Sequence, residues 1–471
     1  MASLSKKDLI KISDFIWEIP KNFNSKMRVP ARVFASEEML AEILHDNSIE
    51  QLINVSTLIG IQKYALAMPD AHEGYGFPVG GVAGFDLKEG IISPGGIGYD
   101  INCGVRLLKS SLSYDEIKPH LQKLGREIYH EVPSGVGRGG RLNLNYEELN
   151  RVLKQGSKRI VEMGYGNEKD LEKIESGGYL NEAEPDYVSK TAKDRGRDQL
   201  GTIGAGNHFV EVDKVAEIFD EKVAEKLGLF KNQICVLIHT GSRGLGHQIA
   251  TDYIRHFLLV LNKYKIDLAD KELACAPYNS EEGQKYFQAM QAGANFAWAN
   301  RQLITWEVRR AWKNVLGKKM AGELEILYDV SHNIAKIEEY KIDGETKKLI
   351  IHRKGATRAF PDQPVLIPGS MGTASYVLIG QKEAFNISFG STCHGAGRRM
   401  SRTQAKKKIR GSELKKELEN RGIVVEAGSM SGLAEEAPEA YKDVNNVVEV
   451  VHQIGIAKKV VKLKPVCVIK G

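Results

Sequence analysis

The chain has 471 residues, of which 42% are hydrophobic, 27% charged and 7% aromatic, and this excludes a disordered, collagenous or small disulfide-stapled protein. Sixty-six Lys and Arg against 60 Asp and Glu leave a formal charge of +6, too small over this length for a whole-molecule polyanion binder, so any nucleic-acid argument has to be local. Five cysteines (Cys103, Cys235, Cys275, Cys393, Cys467) form no CxxC pair and fit neither a disulfide framework nor a zinc ribbon, which points to a reducing compartment.

Residues 1–21 mix Lys, Asp and Glu among the apolar positions, so no signal peptide is expected. No apolar run approaches the ~20 residues of a membrane span, and a cytoplasmic location is expected. In chain order, apolar spacing predicts helices over 36–45, 114–130, 146–163, 215–227, 247–263, 281–316, 403–420 and 444–456. Strand-like runs fall at 90–92, 105–108, 209–212, 234–239, 326–330, 349–352, 365–367, 375–378 and 466–469. The fold class is therefore mixed α/β. No linker composition, internal repeat or low-complexity stretch divides the chain, and a single large domain over 1–471 is expected.

The 47 glycines cluster in short stretches at 72–81, 93–104, 201–208, 239–247, 368–372 and 390–397, nearly all of which contain or touch His, Cys or Asp. One such loop is a plain turn, but six together suggest a site assembled from many segments, because glycine lets backbone approach a ligand closely. Asp100 and Cys103 lie three apart, as do His208 and Glu211, while His239 and His332 each stand where an apolar run stops. The mixed set Asp100, Cys103, His208, His239 and His332 exceeds one ordinary catalytic zinc site and suits two divalent metals with a bridging thiolate.

No GxxxxGK[ST] motif is present, so a P-loop is not indicated. Lys341-Ile-Asp-Gly344 has the Lys-x-Asp-Gly form of lysine-adenylating ligases, yet Asp-Gly between two apolar runs reads as a hairpin turn. His394 is the better candidate nucleophile. It stands in Ser391-Thr-Cys-His-Gly-Ala-Gly397, ahead of Arg398, Arg399, Arg402, Lys406, Lys407, Lys408 and Arg410, a stretch without an acid that is either a solvated helix face or a neutraliser of phosphates.

The segments His72-Glu-Gly-Tyr-Gly-Phe-Pro, Pro94-Gly-Gly-Ile-Gly-Tyr-Asp-Ile-Asn-Cys-Gly-Val-Arg106, Gly204-Ala-Gly-Asn-His-Phe-Val-Glu211, His239-Thr-Gly-Ser-Arg243, Ser331-His-Asn333, His352-Arg-Lys-Gly-Ala-Thr-Arg358, Pro368-Gly-Ser-Met-Gly-Thr-Ala-Ser375 and Cys393-His-Gly-Ala-Gly-Arg398 together resemble the RtcB family of RNA ligases over nearly the whole chain. The resemblance implies joining of RNA 3′-phosphate or 2′,3′-cyclic phosphate ends to 5′-hydroxyl ends, as in tRNA splicing and RNA repair, with GTP as cosubstrate. It implies two Mn(II) ions on Asp100, Cys103, His208, His239 and His332, with Cys103 bridging, and a GMP adduct on His394. It implies a GTP site of Asn207, His208, Phe209, Val210, Glu211, His332, Asn333, Pro368, Gly369, Ser370, Met371, Ser375, His394, Gly395, Ala396, Gly397, Tyr441 and Lys470. Arg195 and Arg243 would bind RNA phosphate, and an archease-type activating protein belongs among the family's partners. Two competing readings remain: a dinuclear metallophosphoesterase acting on RNA ends, which needs no nucleophilic His394, and a noncatalytic RNA-binding protein with a structural metal.

Overall fold

The computed structural model describes residues 5–135, Gly137 and 139–471, so residues 1–4, Val136 and Arg138 of the expected 1–471 domain lie outside the described residues. Two large sheets organise the chain. A seven-stranded sheet runs Ile10–Ser13, Ile16–Ile19, Ala31–Phe34, Ile61–His72, Val79–Asp86, Glu345–Lys354, Asn333–Ile342. An eight-stranded sheet runs Glu325–Ser331, Gly104–Ser113, Gln233–Thr240, Phe209–Ile218, Ala457–Lys470, Ser375–Gly380, Pro364–Ile367, and Val424–Ala427 joins it beside Ala457–Lys470. The mixed α/β expectation holds, with helices packed among the sheets.

The eight-stranded sheet is covered on both faces. Alternation along Phe209–Ile218 sends Val210 and Val212 into one apolar cluster and Phe209 and Val215 into another. The helix Glu281–Ala321 is buried along most of its length and carries Gln291, Asn295, Asn300, Arg301, Gln302 and Thr305 into the interior. A helix apolar or buried all round belongs in the middle of a large protein, and this one props the loops described below. Among the described residues, no helix is long and apolar enough to cross a membrane.

Several sequence expectations shift. The 215–227 segment is not one helix: Val215 to Ile218 finish a strand, and the helix Glu221–Leu227 starts at Asp220, whose carboxylate accepts from the Val223 amide. The 146–163 helix breaks at Gly156, whose φ of 55° ends one helix and opens the next. The 403–420 helix is two, Arg402–Lys408 and Gly411–Asn420. Lys341-Ile-Asp-Gly344 is the turn of a hairpin, with Ile342 opposite Glu345 and φ of 51° at Asp343 and 88° at Gly344. Positive φ at both central residues is the geometry of a type I′ turn, which Asp-Gly favours.

Candidate active site

Register brings the predicted metal residues to one edge of the eight-stranded sheet. Gly104 pairs with Thr240 and Ser331, and His239 pairs with Val105 and Phe209. Cys103 and His208 therefore precede strands that start at this edge, while His239 and His332 lie where strands finish. The strands are antiparallel, so the site draws on both strand beginnings and strand ends.

Cys103 Sγ lies 3.4 Å from His208 Nε2 and 3.4 Å from His239 Nε2, and His239 Nε2 is 3.3 Å from His332 Nε2. Asp100 Oδ2 is 2.8 Å from His208 Nε2. Two groups with mutually close donor atoms result, Asp100/Cys103/His208 and Cys103/His239/His332, sharing the thiol. Burial, with His208 and His394 nearby, holds His239 far below the ordinary imidazole range, and burial next to His394 and His239 does the same for His332. Neutral imidazoles with converging lone pairs are what a cation requires. Burial would raise Asp100, but the His208 hydrogen bond and charge, with the Arg243 guanidinium, override it and bring the carboxyl to about 2. Burial and the Asp100 charge push the Cys103 thiol well up, so its proton is the one a metal must displace. Five donors, three per group with one shared and carrying Asp, Cys and His, fit two divalent cations with open positions better than one closed structural zinc.

His394 follows the short strand Ser391–Cys393, which pairs with Ala356–Arg358. Its ring centroid lies 5.0 Å from that of His332. Asp70, on the strand Ile61–His72, accepts at one oxygen from His394 Nδ1 at 2.6 Å, the His394 amide at 3.0 Å and the Gly395 amide at 3.3 Å. Asp70 is fully buried, and its other oxygen has no partner among the described residues. With Nδ1 occupied as donor, Nε2 is left as the free nitrogen of His394. Sequence reasoning missed Asp70. The Pro-Asp-Ala-His run just upstream of a glycine loop was the available signal.

A single cavity joins His394 to the metal cluster. Asp100, Cys103, His239 and His332 line its metal end, and Pro368, Gly369, Ser370, Met371, Gly395, Ala396 and Gly397 form a glycine-rich wall. Asn207, Phe209, Asn333, Tyr441 and Lys470 complete most of the nucleotide set named above. His208, Val210, Glu211 and Ser375 do not line it. Val210 points into the opposite apolar layer by strand alternation, and Ser375 Oγ accepts from the Gly369 amide at 3.1 Å, shaping the wall from behind. Burial and Asp213 raise the Glu211 carboxyl, while Lys470 opposes them.

The far end contains one acid that the sequence did not single out, Glu436. Glu436, 2% exposed, accepts from Arg398 Nη1 at 3.1 Å and from the Tyr441 hydroxyl, and lies 3.7 Å from Lys470 Nζ. Lys470 Nζ sits 5.4 Å over the Phe209 ring. The basic stretch is thereby divided: Arg398 and Arg402 line the cavity and face Glu436, Lys406 pairs with Glu435, and Arg399 is exposed. Arg195 and Arg243 do not line the cavity. Arg195 is exposed and donates to Gln248, whereas Arg243 is half-buried, donating to Thr202 Oγ1 at 3.2 Å with Nη1 3.5 Å from His208 Nδ1.

The chain is similar to known proteins over nearly its whole length. The family model "tRNA-splicing ligase RtcB" matches residues 51–471. Proteins named tRNA-splicing ligase RtcB from Thermococcus kodakarensis and Archaeoglobus fulgidus are each 52% identical to this chain, over 98% of it and 99% of their own length. The protein of that name from Nanoarchaeum equitans is 53% identical with the same coverage. With matches of this extent, the chain belongs to the RtcB family.

Proposed function

We propose that this chain is a GTP- and Mn(II)-dependent RNA ligase that joins 3′-phosphate or 2′,3′-cyclic phosphate ends to 5′-hydroxyl ends through a GMP adduct on His394. The observation that carries the proposal is the Asp70–His394 pair: the 2.6 Å contact to Nδ1 leaves Nε2 as the reactive nitrogen, beside the Cys103/His239/His332 group. Divalent cations held by Asp100, Cys103 and His208 and by Cys103, His239 and His332 would supply Lewis-acid withdrawal from phosphate oxygens.

In this reading His394 Nε2 attacks the α-phosphorus of GTP, the bond to the β-phosphate bridging oxygen breaks, and pyrophosphate leaves. Asp70 keeps the Nδ1 proton in place and stabilises the positive charge that grows on the ring. An oxygen of the RNA 3′-phosphate then displaces His394 from the GMP phosphorus. The 5′-hydroxyl oxygen of the second strand attacks the RNA phosphorus, GMP departs and the hydroxyl proton is lost to solvent or base. A cyclic phosphate is first opened by water to the 3′-phosphate. Lys470, buried between Glu436 and the Phe209 ring, offers a cationic donor for the base, and Arg398 and Arg402 offer cations for the nucleotide. Arg195 and Arg243, outside the cavity on the Asp100 side, are assigned to RNA phosphate. Cleaved tRNA halves and other broken RNA ends are the substrates, in the cytoplasm, with an archease-type protein assisting turnover.

The test is covalent. After incubation with Mn(II) and GTP followed by denaturation, intact mass and peptide mapping should show one GMP on His394, and His394→Ala should show none. Both metals and GTP bound without an adduct would favour the phosphoesterase.

A further inference from the structure

We infer that Arg301 is a positioning residue that holds the Cys103 loop and the His239 strand end at a fixed separation, and so sets the spacing of the metal ligands. The inference rests on the metal-dependent reading above. Arg301 lies on the helix Glu281–Ala321 and is fully buried. Its Nη1 donates to the carbonyl of Asn102 at 2.8 Å and to the carbonyl of Thr240 at 2.9 Å. Asn102 immediately precedes Cys103, and Thr240 immediately follows His239. Nη2 adds a 3.3 Å bond to Asn102 Oδ1 and a 3.0 Å bond to Asp329 Oδ1, and Nε donates to Asp329 Oδ2 at 2.8 Å.

A guanidinium has five N–H donors, and these five contacts account for all of them. Two go to Asp329, which would suffice for burying a charge. The other three reach the two segments that carry ligands. Lysine cannot reproduce this, because a single ammonium has three donors and no planar fork. The surrounding backbone is shaped for the clamp. Asn102 adopts the left-handed region with a φ of 53°, and a Cβ at Gly104 would lie 3.0 Å from Arg301 Cζ and 2.3 Å from the Val330 carbonyl oxygen.

Arg106 provides a matched comparison. It is equally buried and bonds the same Asp329 Oδ2 at 2.8 Å, but its Nη1 goes to Gln302 and Thr305, and neither contact reaches a ligand-bearing loop. A merely structural role predicts that Arg301→Lys and Arg106→Lys behave alike.

The experiment loads apo protein with Co(II) and reads the retained metal equivalents, the thiolate-to-cobalt absorption and the thermal midpoint for wild type, Arg301→Lys and Arg106→Lys. Arg301→Lys should lower cobalt affinity about 10- to 100-fold and weaken or shift the thiolate band, the scale seen when partners of metal ligands are removed. Arg106→Lys should lower the midpoint while keeping wild-type affinity. Wild-type affinity and band in Arg301→Lys, or metal loss in both variants that tracks their midpoints, would overturn the inference alone. Wild type that takes up no cobalt would overturn the metal reading together with it. If Arg301→Lys does not fold, Asn102→Gly and Asn102→Asp test the same clamp as a pair: both lose the 2.7 Å bond from Asn102 Nδ2 to the Ala294 carbonyl, but only glycine, which keeps the left-handed backbone, also loses the Oδ1 contact to Arg301. A loss of cobalt affinity in Asn102→Gly beyond that of Asn102→Asp, smaller than in Arg301→Lys because the carbonyl bonds of Asn102 and Thr240 remain, supports the clamp, and equal affinity of the two variants overturns the part assigned to Oδ1 and with it the five-contact clamp.

Discussion

Replacing Asp70 with Asn should slow GMP attachment to His394 about 5- to 30-fold without removing it. The carboxylate oxygen that meets Nδ1 also accepts from two main-chain amides, those of His394 and Gly395. An asparagine has one acceptor and one donor end, and a flipped amide would set its NH2 against three donors at once. The side-chain oxygen is therefore retained at that position, Nδ1–H is still the favoured tautomer, and Nε2 remains free. What is lost is the charge. A hydrogen bond to a charged group contributes roughly 1.5–3 kcal/mol net against 0.5–1.5 for a neutral one, a difference of about 1–2 kcal/mol. At 1.36 kcal/mol per decade this is the stated range.

The asparagine NH2 would occupy the place of the Asp70 oxygen that already lacks a partner among the described residues, so the substitution exchanges one unpaired buried atom for another. The assay is single-turnover GMP incorporation at saturating GTP and Mn(II), followed by intact mass, with circular dichroism as a folding control. A rate equal to wild type would show that the carboxylate only caps the 394–395 backbone. A loss of about 10⁴-fold, the scale associated with an imidazole held in the wrong tautomer, would refute the argument that the two amides fix the orientation.

Cys103→Ala should leave fewer than two manganese equivalents after dialysis, measured by elemental analysis, because the thiol belongs to both donor groups; unchanged content would remove the bridge. Arg398→Ala should raise the KM for GTP, since Arg398 lines the cavity and holds Glu436, whereas the exposed Arg399→Ala should leave that KM unchanged and lower the salt slope of RNA binding by roughly 0.7 if Arg399 meets a phosphate. Burial raises the Asp213 carboxyl to about 7, with neither oxygen partnered among the described residues. The native state therefore keeps a proton that the unfolded chain, titrating near 4, gives up. This contribution to stability is fully present below about pH 4 and is lost as pH rises through the raised native value. Asp213→Asn should accordingly gain stability over wild type from pH 4 to 8 in denaturant titrations, and a constant difference across that range would refute the assignment.

The convergence of the candidate metal donors was legible because they sit in glycine loops of unmistakable composition or at the boundaries of strands that alternate or run apolar, such as Gln233–Thr240. The long helix was legible from spacing, and the Asp343-Gly344 turn from its dipeptide. The strand Ile61–His72 was not. It is buried along most of its length, so it shows no period of two, and Pro69 argues against a strand. Its ladder to Val79–Asp86 shifts register between Ala67 and His72, and Asp70 stands in that irregular stretch. A departure from regular pairing re-aims side chains, and here it accompanies the carboxylate that meets His394. Glu436 and Arg301 were equally hidden, because Glu436 meets Arg398 and Lys470 and Arg301 meets Asn102 and Thr240 across long stretches of sequence, and neither lies in a glycine cluster. The false helix at 215–227 arose because Val215, Phe219, Val223 and Leu227 share helical spacing across a strand end and a cap.

The separation between His394 and the metal ligands is set mainly by backbone, through the tripeptide Ser331-His-Asn333. Ser331 ends a strand of the eight-stranded sheet, and Asn333 begins a strand of the seven-stranded one. The His332 amide donates to the Cys103 carbonyl at 2.9 Å, and the Asn102 amide to the Asn333 carbonyl at 2.7 Å, which fixes the metal loop to the crossing. The Ala356 amide donates to the His332 carbonyl at 3.1 Å, and Ala356 pairs with Cys393, the residue before His394. Asn333 closes the arrangement from its side chain, donating to the Asp100 carbonyl at 3.1 Å and accepting from the Gly355 amide at 2.8 Å. Side chains in loops drift by an ångström at little cost, whereas paired main-chain segments do not. In the proposed reaction His394 and the two donor groups must meet one phosphate, and the sheet junction then supplies their geometry while the glycine loops supply room for the substrate.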